Sequence, residues 1–203
     1  MERGVETAQV AAIVLAAGGS ERMGQPKQLL PIGGQPMVRL VTEAVAATGL
    51  AQVVVVTGAD AEAVEAALAG LPADIVANES WAEGMSSSMR AGLRALRPGI
   101  QAVLLVLGDQ PALTTDLLQL LVARYRATGA PIVAPFYHGQ RGNPVLFDRV
   151  LFPELLAVEG DRGGRLLIVR HEEQVEWVKV DDPAVIMDID SPEDYEEILG
   201  EVG

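Results

Sequence analysis

The chain has 203 residues, 49% hydrophobic and 21% charged, a globular composition with length enough for a sizeable core. Its net charge of −13 repels phosphate backbones and anionic membranes, and its 15 Lys and Arg are scattered, so neither nucleic acid nor membrane is expected as a partner. It has no cysteine, which excludes disulfides, thiolate metal sites and cysteine nucleophiles and fits a reducing cytoplasm.

In chain order, residues 1–9 read as a loose polar terminus, too acidic to open a signal peptide. Short apolar runs follow at 10–16, 53–57, 74–77, 102–107, 132–134 and 175–180. Most are β-branched without clean alternation, as in strands buried on both faces. Between them lie stretches with helical spacing at 36–48, 61–69, 86–96 and 114–128, the last with Thr114 or Thr115 as its cap. Ser191-Pro192-Glu193-Asp194 starts a final helix over 192–199. Strand and helix in alternation predict a doubly wound, Rossmann-like α/β fold: a mostly parallel sheet with helices on both faces, in one domain over 1–203.

Ligands of open parallel sheets bind at the carboxyl ends of strands. The first run leads directly into Ala16-Ala17-Gly18-Gly19-Ser20, followed by Arg22, Gly24, Pro26 and Lys27. Small residues let backbone N–H groups approach a ligand, and Arg22 and Lys27 add positive charge, a combination suited to a triphosphate. Neither familiar phosphate loop is present. Gln25 stands where a Walker loop needs Lys, and GxGxxG is absent. The strand over 102–107 delivers Asp109 to its carboxyl end, a position suited to a hard metal ligand; Mg²⁺ typically takes one or two protein carboxylates plus substrate phosphates. Alternation in Asp188-Ile189-Asp190 puts both aspartates on one face of a strand end. Either could serve the last helix as a cap; Asp190 is the preferred second ligand. The serines 86–88 open a helix, where capping is their simplest role. His138 sits in a loop that could meet an acceptor, and His171 reads as exposed. Glycine-rich 139–144 and charged 160–165 read as turns, the latter able to steer an anion.

Taken together, these loops resemble the MobA-like NTP transferase family, and within it the molybdenum cofactor cytidylyltransferases. The matching residues run through the chain in order: 15–20 with Arg22, Met23, Gly24, Pro26 and Lys27; Asn78 with Gly84 and Ser88; 107–111; Arg141, Gly142, Pro144 and Val145; Gly160, Asp161, Gly163, Gly164 and Arg165; and 188–194. The resemblance implies a mixed sheet and Mg²⁺-dependent transfer of CMP from CTP to the terminal phosphate of molybdopterin carrying molybdenum. Ala16 to Gly19 and Lys27, with Asn78, Gly84 and Ser88, would hold the nucleotide. Lys27, Arg22 and Asp109 would carry catalysis, and Asp109 and Asp190 the metal. Arg141, Asn143, Asp161 and Arg165 would face the acceptor, and a molybdoenzyme would receive the product. Asn143 departs from a histidine common in this branch, which bears on the acceptor's identity. Competing expectations are guanylyl transfer, another phosphorylated acceptor, and a non-catalytic cofactor-binding or insertion protein.

Overall fold

The computed structural model describes residues 7–20 and 23–202. Its strands in chain order are β1 (Val10–Ala16), β2 (Pro31–Ile32), β3 (Gln35–Pro36), β4 (Gln52–Thr57), β5 (Asp74–Ala77), β6 (Ala102–Leu107), β7 (Ile132–Tyr137), β8 (Gln140–Arg141), β9 (Val145–Asp148) and β10 (Val175–Lys179). Its helices are α1 (Met37–Ala46), α2 (Ala61–Ala67), α3 (Met85–Arg94), α4 (Thr115–Thr128), α5 (Phe152–Leu156), α6 (Arg165–Arg170) and α7 (Pro192–Val202). The main sheet runs β10-β7-β9-β6-β1-β4-β5, with β8 attached to β7. The pairs β1–β4, β1–β6, β4–β5 and β7–β10 are parallel, and β9 runs antiparallel between β6 and β7. This is the mostly parallel α/β architecture expected.

The lack of alternation in the runs has its cause here. Val53 and Val55 pack into one core layer with Val38, Val41 and Val45 of α1 and Leu118 and Leu121 of α4. Val54 and Val56 face the opposite layer, with Met89 of α3, Leu155 of α5 and Leu167 of α6. A strand covered on both faces is apolar at every position. At about 1.5–3 kcal/mol for each fully buried aliphatic side chain, these two layers hold the sheet together.

The long elements lie close to their expected positions, and Thr114 is the cap of α4, its hydroxyl accepting from the Leu117 N–H at 3.3 Å. Short ones such as β8 and α5 were not expected, falling in stretches read as turns or left unassigned, because two to five residues hold too little periodicity to show. The terminus is ordered further forward than 1–9 suggests, with Ala8 buried and its carbonyl accepting from Arg126 Nη2 at 3.3 Å. Residues 1–6 lie outside the described part. The 188–190 segment is not a strand, and its Ile189 N–H donates to the Asp109 carbonyl at 3.0 Å.

From β1 the chain goes to β4 on one side and later returns to β6 on the other. The carboxyl ends of β1 and β6 therefore flank the point where strand order reverses, where a ligand crevice opens in sheets of this kind.

Candidate active site at the carboxyl ends of β1 and β6

A cleft of about 590 Å³ opens at that point, lined among others by Ala17, Gly18, Gly19, Ser20, Lys27, Ser88, Asp109, Asp188 and Asp190. Its centre is an ion triad. Lys27 Nζ donates to Asp109 Oδ2 and to Asp190 Oδ1, both at 2.7 Å. Burial disfavours the Lys27 ammonium, but the two carboxylates outweigh it, and its pKa stands above the ordinary lysine value. Lys27 thus stays charged at every physiological pH.

The loop that carries Lys27 is braced by side chains. Lys27 N–H donates to Ser20 Oγ at 3.0 Å, Ser20 Oγ to Gln28 Oε1 at 3.1 Å, and Gln28 Nε2 to the Gly18 carbonyl at 2.7 Å. Gln28 is 3% exposed, a buried polar group with both ends satisfied. Sequence reasoning gave Gln28 no role, although a glutamine directly after the loop lysine was its visible signal. Trp81 was likewise missed. A side chain at Gly19 would bring its Cβ within 2.9 Å of the Trp81 ring, so glycine lets the ring lie against the loop.

Several expected residues stand elsewhere. Arg22 lies outside the described residues. Ala16 is core, buried on the α1 and α4 side of the sheet. Asn78 does not line the cleft. It is buried one layer behind, its Nδ2 donating to Ser87 Oγ at 2.8 Å and Ser88 Oγ at 3.0 Å, so it holds the start of α3 in place. No serine of 86–88 caps α3. That place is taken by Asp161, whose Oδ1 accepts from the Met85 N–H at 3.2 Å. Neither Asp188 nor Asp190 caps α7. Ser191 Oγ accepts from the Asp194 N–H at 3.2 Å, and Asp194 Oδ2 accepts from the N–H groups of Asp190 and Ser191. The reciprocal Ser191–Asp194 cap leaves Asp190 to face Lys27. His171 is half-buried rather than exposed, its Nε2 lying 3.1 Å from Glu154.

Gly84 joins the two halves of the site. It holds φ +97°, and a Cβ there would collide with the Asp161 carboxylate. Gly84→Ala should cost about 1–3 kcal/mol in backbone strain and also push Asp161 off the α3 N-terminus. A chemical melt reads the loss; an unchanged midpoint would refute the steric argument.

A second cavity of about 170 Å³ adjoins the cleft, the two sharing Leu15, Met85, Leu107 and Asp161. Arg141, Asn143 and Arg165 line it, so the residues expected at the acceptor side lie together. Burial, and the Arg165 guanidinium nearby, lower the Arg141 pKa.

The electrostatics point to what is missing. Among the described residues lining the cleft, Asp109, Asp161, Asp188 and Asp190 face one cation, Lys27. Burial, with Asp109 and Asp190 beside it, raises the Asp188 carboxyl above the usual range. A raised carboxyl destabilises the fold where it must ionise: stability held below the usual carboxylate range is lost as pH rises through the raised value. Asp188→Asn should therefore raise the melting temperature of the ligand-free protein at neutral pH, with the gain disappearing in acid. Equal melting temperatures at both pH values would contradict this.

The donor set fits a hard divalent cation. Asp109 Oδ1 is buried with no hydrogen-bond partner, so it has lone pairs to give. Among the described residues no three Asp, Glu, His or Cys side chains converge into a ready metal cage. An ion here would have to complete its shell with substrate oxygens or water, as Mg²⁺ commonly does.

Residues 12–175 match the sequence profile of the MobA-like NTP transferase domain. The chain belongs to that family. It is 34% identical to nicotine blue oxidoreductase of Paenarthrobacter nicotinovorans, over 94% of this chain and 96% of that one. The crystal structure of Rv0371c from Mycobacterium tuberculosis superposes with a TM-score of 0.85 at 31% identity, covering 95% of this chain and 98% of that one. Rv0371c has also been crystallised in complex with manganese. A nucleotidyl transferase from Methanothermobacter superposes with a TM-score of 0.80 at 25% identity, covering 96% and 97%. The family assigns the chain to the nucleotidyltransferases, enzymes that commonly use divalent metals. Among the described residues no helix is long and apolar enough to cross a membrane.

Proposed function

We propose that this protein is a cytoplasmic, Mg²⁺-dependent cytidylyltransferase that moves CMP from CTP to the terminal phosphate of molybdenum-bearing molybdopterin, with a molybdoenzyme as recipient of the product. The observation that carries the metal-dependent transfer is the Lys27–Asp109–Asp190 triad in a cleft where carboxylates outnumber cations. A triphosphate is repelled by such a cleft unless divalent ions accompany it, so nucleotide and metal would enter together.

In this reading Asp109 and Asp190 would hold Mg²⁺, which would neutralise phosphate charge and help align the reactants. Lys27, held between the same two carboxylates, would turn an N–H toward the phosphates. The Ala17–Gly18–Gly19 amides take the triphosphate, with Arg22 adding charge, and the Gly84–Ser88 segment meets the base. An acceptor phosphate oxygen attacks the α-phosphorus, the α–β bond breaks, and pyrophosphate leaves with the electron pair. The acceptor oxygen is already ionised, so no side chain need remove a proton; positioning and charge neutralisation supply the rate. The choice of CTP rests on the likeness of the Ala16–Gly19 loop to the cytidylyl branch.

A second reading follows from the P. nicotinovorans relative, whose name denotes an oxidoreductase. The ion triad has no evident part in hydride transfer, and phosphoryl transfer is therefore preferred. The deciding assay is pyrophosphate release from each of the four NTPs, with and without molybdenum cofactor and divalent ion. Release that needs CTP, cofactor and Mg²⁺ supports the proposal. Nicotinamide-dependent reduction with no pyrophosphate release from any NTP would replace it with the second reading.

A further inference from the structure

Arg141 and Arg165 line the same cavity, close enough for Arg165 to disfavour the Arg141 charge, yet neither guanidinium has a hydrogen bond or ion pair to any described residue. Two unpaired guanidinium groups side by side, in a chain of net charge −13, need a reason. Nearby acids are spent or apart: Asp161 caps α3, and Glu172 makes no ion pair with either arginine.

The two arginines also stand at a junction. On one side is the 170 Å³ cavity, with Leu105, Val145, Phe147 and Ile168 in its wall. On the other is an open groove of about 510 Å³ that holds Trp177, Val169 and Gln140, and that shares Arg141, Arg165 and Ile168 with the cavity. Small-molecule sites usually measure about 300–1,000 Å³. The cavity alone falls short of that range, and cavity and groove together lie within it.

We infer that the acceptor spans both spaces and carries a second anionic group, set back from its attacking phosphate, which the Arg141–Arg165 pair clamps while a flat apolar part rests in the groove beside Trp177. The inference rests on the transferase reading, because that reading puts the attacking phosphate at the cleft. A compact acceptor with a single phosphate, such as a sugar phosphate, would leave the pair and the groove empty. Guanidinium pairs suit an oxyanion, to which they offer parallel N–H donors.

The test uses wild-type protein. Arginine modification by phenylglyoxal is mapped by peptide mass spectrometry at Arg141 and Arg165, with Mg²⁺·CTP plus either glucose 1-phosphate or molybdenum cofactor. The cofactor should protect both arginines, and glucose 1-phosphate neither. In parallel, Trp81→Phe leaves Trp177 as the sole tryptophan, and its emission should change with cofactor and not with the sugar phosphate. Arg165 is exposed, so Arg165→Gln should fold normally and weaken cofactor binding about 10–100-fold, the scale of a charge-assisted hydrogen bond. Protection by glucose 1-phosphate, or a cofactor that leaves both arginines reactive while Mg²⁺·CTP binds, overturns the inference. Protection by cofactor without pyrophosphate release from any NTP would sustain this site and sink the transfer reading instead.

Discussion

Asp109→Asn is expected to reduce Mg²⁺-dependent pyrophosphate release by about 10²–10³-fold, the loss seen when one preorganised charge partner of a transition state is removed. The substitution keeps the shape of the side chain and deletes its charge. Lys27 would still have Asp190 at 2.7 Å, so the loop should stay in place. What goes is the negative charge just beyond the end of β6, on a carboxylate whose buried Oδ1 is otherwise unpartnered. The measurement is steady-state turnover across a Mg²⁺ titration, with a melting curve on the same sample. A rate deficit that excess Mg²⁺ partly restores fits a ligand role. Wild-type turnover, or a fold lost along with the activity, would remove Asp109 from the metal assignment.

Lys27→Met should act as strongly, and in two separable ways. Turnover falls about 10²–10³-fold because the phosphates lose a fixed cation, while acceptor binding, on the far side of Asp161, stays near wild type. The ligand-free protein should also melt earlier, because Asp109 and Asp190 are left facing each other without the ammonium that joined them. These carboxylates are partly solvated, which keeps the penalty below that of a fully buried pair. Added Mn²⁺ should restore part of that stability in Lys27→Met, since the ion can occupy what the lysine vacated, and should do less for the wild type. Calorimetry with and without Mn²⁺ checks it. A variant indifferent to the ion would mean that lysine and metal do not share these oxygens.

The opposite signs expected for Lys27→Met and Asp188→Asn come from one imbalance. The site holds more negative charge than its lysine can offset, and so is set for a cationic, phosphate-bearing complex. A protein kept only to bind a neutral cofactor would have no use for that arrangement.

How far the sequence reached depends on the scale of each signal. Most strands of four or more residues, and the helices of seven or more, were legible, because a side chain buried on both faces or on one stripe repeats often enough to be seen. The loops at 16–20, 107–111 and 188–194 were legible through residue type, since glycine, aspartate and lysine at strand ends carry chemical meaning by themselves. Gln28 was not, because a buried glutamine reads like any surface glutamine until its partners Gly18 and Ser20 are known. Asn78 was placed at the nucleotide for the opposite reason: its motif was visible, but not that its amide is occupied by Ser87 and Ser88.

The sequence by itself determined the alternation of elements, the acidic balance, the glycine-rich loop and the two carboxylate segments, all of which follow from local residue type and spacing. Only the tertiary structure decided that Lys27 lies between carboxylates 82 and 163 residues away, because nothing local encodes which strand ends meet. It decided between the aspartates too. Ile189 is buried, turning its two neighbours toward the cleft, and the Ser191–Asp194 cap takes over the start of α7, so that Asp190 reaches Lys27 while Asp188 stays beside it as a desolvated, reluctant acid.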